Sequence, residues 1–174
     1  MLEPLRQGLP PLDPAAVSDA ASCALPARFE AVREARQFTK RTLDQWDDVA
    51  DCFDDVCLVV SELVTNALRH GLSSDDSTRN QHPPVRLHLM RWTGRLVCAV
   101  RDPSRDSPLP RESEDFSAES GRGLFLVDSF ADSWGWHPLS SSLGGKVVWA
   151  LFRLPAPHGP HGPRSPRSPR TSGE

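Results

Sequence analysis

Val59-Val60-Ser61-Glu62-Leu63-Val64-Thr65-Asn66-Ala67-Leu68-Arg69-His70-Gly71 reads as the second half of an amphipathic helix that carries two residues out of place. Val49, Phe53, Val56, Cys57, Val60, Leu63, Val64, Ala67 and Leu68 recur at three- and four-residue steps. They make one wide apolar stripe on a helix expected over residues 47–70. Asp47, Asp48 and Asp51 would lie near its positive N-terminal end, and Gly71 suits the left-handed residue that closes a helix. Glu62 and Asn66 stand four apart on one face, and Arg69 and His70 extend that edge. Ser61, Thr65 and Asn66 all compete for backbone hydrogen bonds, so this is a poor choice of residues for a merely helical segment. The pair admits two readings: a solvated face, or a carboxylate and a carboxamide that orient a water and a hard divalent cation.

Working outward, Phe29, Val32, Ala35, Phe38, Leu43 and Trp46 predict an earlier helix over residues 29–46. After a polar loop at 73–84, residues 84–92 alternate apolar and polar, Thr93-Gly94 turns, and residues 95–101 return as the second arm of a hairpin. Asp102-Pro103 ends that arm, because proline cannot extend a central ladder. A charged loop spans 103–120. Gly121-Arg122-Gly123 then opens a third helix over 124–130, and two strands at about 134–138 and 146–154 finish the chain's ordered part. The order helix, helix, hairpin, helix, hairpin predicts an α+β two-layer sandwich, a mixed, mostly antiparallel sheet covered on one face by helices.

The 174 residues fit one domain, and composition shows where it lies. Only 38% of the chain is hydrophobic, and eleven of its seventeen prolines fall in residues 1–26 and 155–174. The end is built of His-Gly-Pro and Arg-Ser-Pro units, which cannot bury enough surface to offset their ordering entropy. The expected division is a flexible proline-rich segment at 1–25, a folded domain at 26–154 and a disordered tail at 155–174. A net charge of −3 argues against direct nucleic-acid binding, and no window is apolar enough for a membrane helix. No secretory signal is visible at the start, so a reducing cytoplasm is expected. Cys23, Cys52, Cys57 and Cys98 have no metal-binding spacing and read as core thiols. The five tryptophans read mainly as core and hairpin packing.

Two further positions stand out. Asp102 follows the run Leu96-Val-Cys-Ala-Val at a strand end, either as an ordinary turn aspartate or as part of a site. Gly121 and Gly123 sit at a helix entrance, where close packing or an approach of backbone N–H groups to an anion explains them equally well.

Taken together, the motifs resemble the GHKL ATPase/kinase superfamily. Residues 61–71 resemble its N box, Val100-Arg-Asp102-Pro-Ser its adenine-binding box, and Gly121-Arg-Gly-Leu-Phe-Leu-Val127 its glycine-rich lid. Phe130-Ala-Asp-Ser-Trp-Gly135 with Gly144-Gly-Lys-Val-Val-Trp149 resembles the closing hairpin. The branch it most resembles holds the small anti-sigma-factor serine/threonine kinases of actinobacteria. The resemblance implies a Bergerat-type site for ATP and Mg²⁺. Glu62 would be the catalytic carboxylate, Asn66 the Mg²⁺ ligand, and Asp102 the acceptor of the adenine amino hydrogen. Gly121, Arg122, Gly123 and Leu124 would form the lid stretch, with Arg69, His70 and Arg122 as candidate phosphate contacts. It also implies an anti-anti-sigma-type protein or a sigma factor as partner, and homodimers are common in that branch.

The sequence departs from the family pattern twice. The adenine box usually continues Asp-x-Gly-x-Gly, whereas here it runs Asp102-Pro103-Ser104-Arg105-Asp106. Lys146 and Val147 stand where a threonine usually bonds the adenine aspartate or its water. Both departures favour the alternative of a non-catalytic or weakly ATP-binding, partner-sequestering module. The intact Glu62 and Asn66 favour a kinase.

Overall fold

The computed structural model describes residues 14–71, 85–104, 108, 122–139 and 144–155. Among these residues, three helices accompany five strands that form one sheet: β1 (Asp19–Leu25), β2 (Val85–Trp92), β3 (Arg95–Asp102), β4 (Ser133–Pro138) and β5 (Lys146–Arg153). Their order is β1-β2-β3-β5-β4, and every ladder is antiparallel. The helices, α1 (Glu30–Leu43), α2 (Phe53–Gly71) and α3 (Arg122–Phe130), complete the α+β sandwich.

The alternation of β2, β3 and β5 decides what each face carries. Leu87, Leu89, Leu96, Cys98, Val100, Val148, Ala150 and Phe152 point to the helix side. There they join Ala31, Ala35, Val56, Val60, Leu63, Val64 and Ala67 in the main core. The intervening residues Met90, Trp92, Val97, Ala99, Trp149 and Leu151 form a smaller buried cluster on the opposite face. Trp149 lies flat enough against Gly135 that a methyl group there would sit 2.5 Å from the indole ring. Cys57 and Cys98 are buried. Loss of solvation pushes the Cys98 thiol up to about 12, so it stays protonated and behaves as a core group.

The first strand corrects the expectation of a flexible segment over residues 1–25. Residues 19–25 pair with β2 along their whole length, from Asp19 opposite Arg91 to Leu25 opposite Val85. The signal was hidden because Ala20, Ala21, Ser22 and Ala24 have small side chains and low strand propensity. Pairing is fixed instead by tertiary contacts: Leu25 enters the core, and Arg91 Nε donates to Asp19 Oδ2 at 2.8 Å. Residues 1–13 and the tail from 156 lie outside the described residues.

Two helix starts are also corrected. Phe29 is 85% exposed at the cap of α1 and not part of its apolar stripe. The acidic entry to α2 is not helical: Asp48 adopts φ 68°, a short 3-10 turn covers Ala50–Cys52, and the α-helix begins at Phe53. Asp54 and Asp55 occupy the first turn in their place.

His88, in the middle of β2, faces away from the helices between Arg86 and Met90. Burial pushes its imidazole below the usual 6.5, and Arg86 and Arg101 push it further the same way. The unfolded chain therefore binds this proton at a higher pH than the folded one. His88 favours the fold fully above pH 6.5 and progressively less as the pH falls through the lowered native value. Urea midpoints taken between pH 8 and pH 5 should fall on acidification, and His88→Gln should flatten that slope. An unchanged slope in the variant would assign the pH response elsewhere.

Candidate functional site

Helix α2 presents Glu62 and Asn66 half-buried on one face, between the buried positions Ser61, Leu63, Val64 and Ala67. The hydroxyls that would loosen such a helix are tied back into it. Ser61 Oγ donates to the Cys57 carbonyl and Thr65 Oγ1 to the Ser61 carbonyl, each at 2.7 Å. Arg36, reaching from α1, donates from Nε to Ser61 Oγ at 2.7 Å. This contact fixes the turn that carries Glu62, and nothing in the spacing of residues 29–46 announced it.

The first turn of α3 closes over this face. Gly123 is buried, and a Cβ there would lie 2.9 Å from Glu62 Oε2 and 3.2 Å from both Asn66 Oδ1 and Asn66 Nδ2. The glycine is thus required by the proximity of two polar side chains from α2. Arg122, just before it, and Arg69, one turn beyond Asn66, are both exposed. Leu124 is buried beneath α3. Gly121 and the side chain of His70 lie outside the described residues.

Asp102 occupies a second centre, at the end of β3. It follows Leu96, Cys98 and Val100 in the alternation, so it belongs to the helix-covered face. Its cross-strand partner is Lys146, the first residue of β5, and Lys146 Nζ lies 2.8 Å from Asp102 Oδ2. The two side chains are only 3% and 4% exposed. Asp102 Oδ1 accepts from the Ser104 backbone N–H at 2.8 Å, and the ammonium reaches the Ser104 carbonyl at 3.4 Å. Both carboxylate oxygens are therefore engaged within the chain. Gly145 permits this approach: its φ is +94°, and a Cβ there would lie 2.4 Å from the Asp102 carbonyl oxygen.

The two ends of the site differ in what they can hold. At Glu62 and Asn66, oxygen ligands stand beside a helix entrance with no Cβ between them, a setting that fits a phosphate group and a hard cation bound mainly through it. Among the described residues, no cluster of three or more His, Cys, Asp or Glu forms a cage for a metal ion by itself. At Asp102, the carboxylate already holds a charged donor and is buried with it, so a donor from a base would compete with the Lys146 ammonium.

No helix among the described residues is long and apolar enough to cross a membrane. No curated protein sequence matches the chain. Its fold is similar to the crystal structure of the RsbU and RsbW domains of Rv1364c from Mycobacterium tuberculosis, with a TM-score of 0.56 at 19% identity. That likeness covers 80% of this chain and 34% of the mycobacterial one, so the chain spans about a third of that protein's length. A family model for the histidine kinase-like ATPase domain matches residues 25–152, from the end of β1 almost to the end of β5. The chain belongs to that family, within the GHKL superfamily.

Proposed function

We propose that the chain is an ATP- and Mg²⁺-dependent protein serine/threonine kinase of the anti-sigma-factor type, acting on an anti-anti-sigma-type protein in a partner-switching circuit. The observation that carries this reading is the setting of Glu62 and Asn66 directly against Gly123. A carboxylate, an oxygen ligand and the first turn of a helix converge there, and family membership supports the same use.

In this reading Mg²⁺·ATP supplies the phosphoryl donor together with its neutralising cation. Asn66 would hold the cation. Glu62 orients the partner's serine hydroxyl and takes its proton. The positive N-terminal end of α3, with Arg69 and Arg122, would supply positive charge to the phosphates. Ser61 and Arg36 keep the Glu62 turn in place. Phosphoryl transfer needs mainly positioning and charge neutralisation, and these residues supply both.

The test is transfer of labelled phosphate from ATP to a partner recovered by pull-down with and without nucleotide, followed by mapping of the phosphorylated residue. Glu62→Gln should lower the transfer rate by about 10²–10⁴-fold, the usual range for a general base, while Mg²⁺·ATP binding persists. Transfer at the wild-type rate in that variant would remove Glu62 from the mechanism.

A second reading, a module that sequesters its partner without transferring phosphate, is favoured by one observation: the buried Lys146–Asp102 pair. It predicts capture of the same partner with no phosphorylated product.

A further inference from the structure

We infer that Lys146 determines base selectivity by occupying, from within the chain, the position at Asp102 that a nucleobase amino group would otherwise take. The inference rests on the nucleotide-site reading above and names what that site recognises: the polyphosphate with its cation, and not the base.

The geometry leaves little room for another arrangement. Asp102 Oδ2 holds the ammonium at 2.8 Å, and Oδ1 holds the Ser104 N–H at the same distance. A neutral amino group approaching Oδ2 would have to compete with a charged donor at a pair whose side chains are only 3% and 4% exposed, and hydrogen bonds from charged donors are the stronger of the two. Displacement would also strand a lysine that is 3% exposed and whose other close acceptor is the Ser104 carbonyl. A buried cation without its counter-ion is strongly disfavoured, so the pair opposes opening from both sides.

The surrounding residues hold the arrangement. Gly145, at φ +94°, lets the start of β5 lie against the Asp102 carbonyl, and the ladder fixes Lys146 directly opposite Asp102. Pro103 separates Asp102 from Ser104, where the Asp102 side chain closes a local turn on the Ser104 N–H. Strand register, turn and ion pair thus all act at one point. By contrast, at the Glu62–Asn66–Gly123 centre side-chain oxygens stand against the first turn of a helix.

Calorimetry on the full chain with Mg²⁺ and ATP, GTP or inorganic tripolyphosphate separates the alternatives. Wild type should bind the three within about threefold of one another, because the base contributes no hydrogen bond at Asp102. Lys146→Thr should tighten ATP over GTP by about tenfold or more, since sites built to bond a polar group discriminate strongly against analogues lacking it. Wild type binding ATP more than about tenfold tighter than GTP and tripolyphosphate would overturn the inference and leave the nucleotide-site reading standing. That wild-type ratio decides the matter even if the variant does not fold. An ATP preference gained by Lys146→Thr over an unselective wild type supports the inference, and a wild type that binds none of the three while the variant binds ATP overturns it. Absence of all three ligands from both chains would remove the nucleotide-site reading, and the inference with it.

Discussion

Removing the Lys146 ammonium alone, by Lys146→Met, is expected to destabilise the fold by about 3–5 kcal/mol, the usual effect of stranding one member of a buried ion pair. The size follows from burial. Asp102 is 3% exposed as a residue, and its carboxylate would keep only the Ser104 N–H of the two donors described above. Water cannot readily replace the ammonium there, because Gly145 and Ser104, both buried, enclose the same point. The double variant Asp102→Asn/Lys146→Met removes both charges at similar volume and should recover most of the loss, since neutral replacement of a buried pair is often close to neutral in stability. Urea denaturation of the four chains of this cycle measures the coupling, expected at about 3 kcal/mol or more for groups in direct contact, because each single variant strands one buried charge. A coupling below about 0.5 kcal/mol would mean that the two side chains act independently, contrary to their 2.8 Å separation.

That pair also marks where sequence reading stopped. The α+β class, the hairpin of β2 and β3 and the apolar face of α2 were legible, because each is written in a local period. The Glu62–Asn66 anomaly was legible for the same reason: two polar residues interrupt a regular stripe. Lys146 was visible only as a missing hydroxyl. Its partnership with Asp102 depends on the register of β3 against β5, across more than forty intervening residues, and no local pattern reports that. Strand β1 was lost for a related reason. Its small residues carry almost no propensity signal, and its order comes from pairing with β2 some seventy residues away. Arg36 is a third case, a charged residue on an ordinary helix whose role appears only when Ser61 is brought beside it. The lost features are long-range contacts, whereas the legible ones are periodic.

Gly123→Ala is expected to leave the fold intact and to disable the site. Gly123 lies within the first turn of α3, where alanine is the better helix former by about 0.5–1 kcal/mol. The added methyl would meet Glu62 Oε2 at 2.9 Å and the two terminal atoms of Asn66 at 3.2 Å. These are the far ends of rotatable side chains, not backbone, so the clash is relieved by swinging them aside. Stability should therefore stay within about 1 kcal/mol of wild type, with relief and propensity opposing each other. Function should not, because displacement of a catalytic group by about 1 Å typically lowers the rate about 10²-fold. The measurements are a thermal midpoint and the rate of phosphate transfer on the same preparation. Wild-type transfer by Gly123→Ala would show that the position of Glu62 against α3 is irrelevant to the chemistry. A second comparison separates displacement of Glu62 from other effects of the methyl: added to Glu62→Gln, the same substitution should lower the residual rate by less than it does in wild type, since part of its effect acts through the same carboxylate. Full additivity would place the effect of Gly123 at Asn66 or elsewhere on α3.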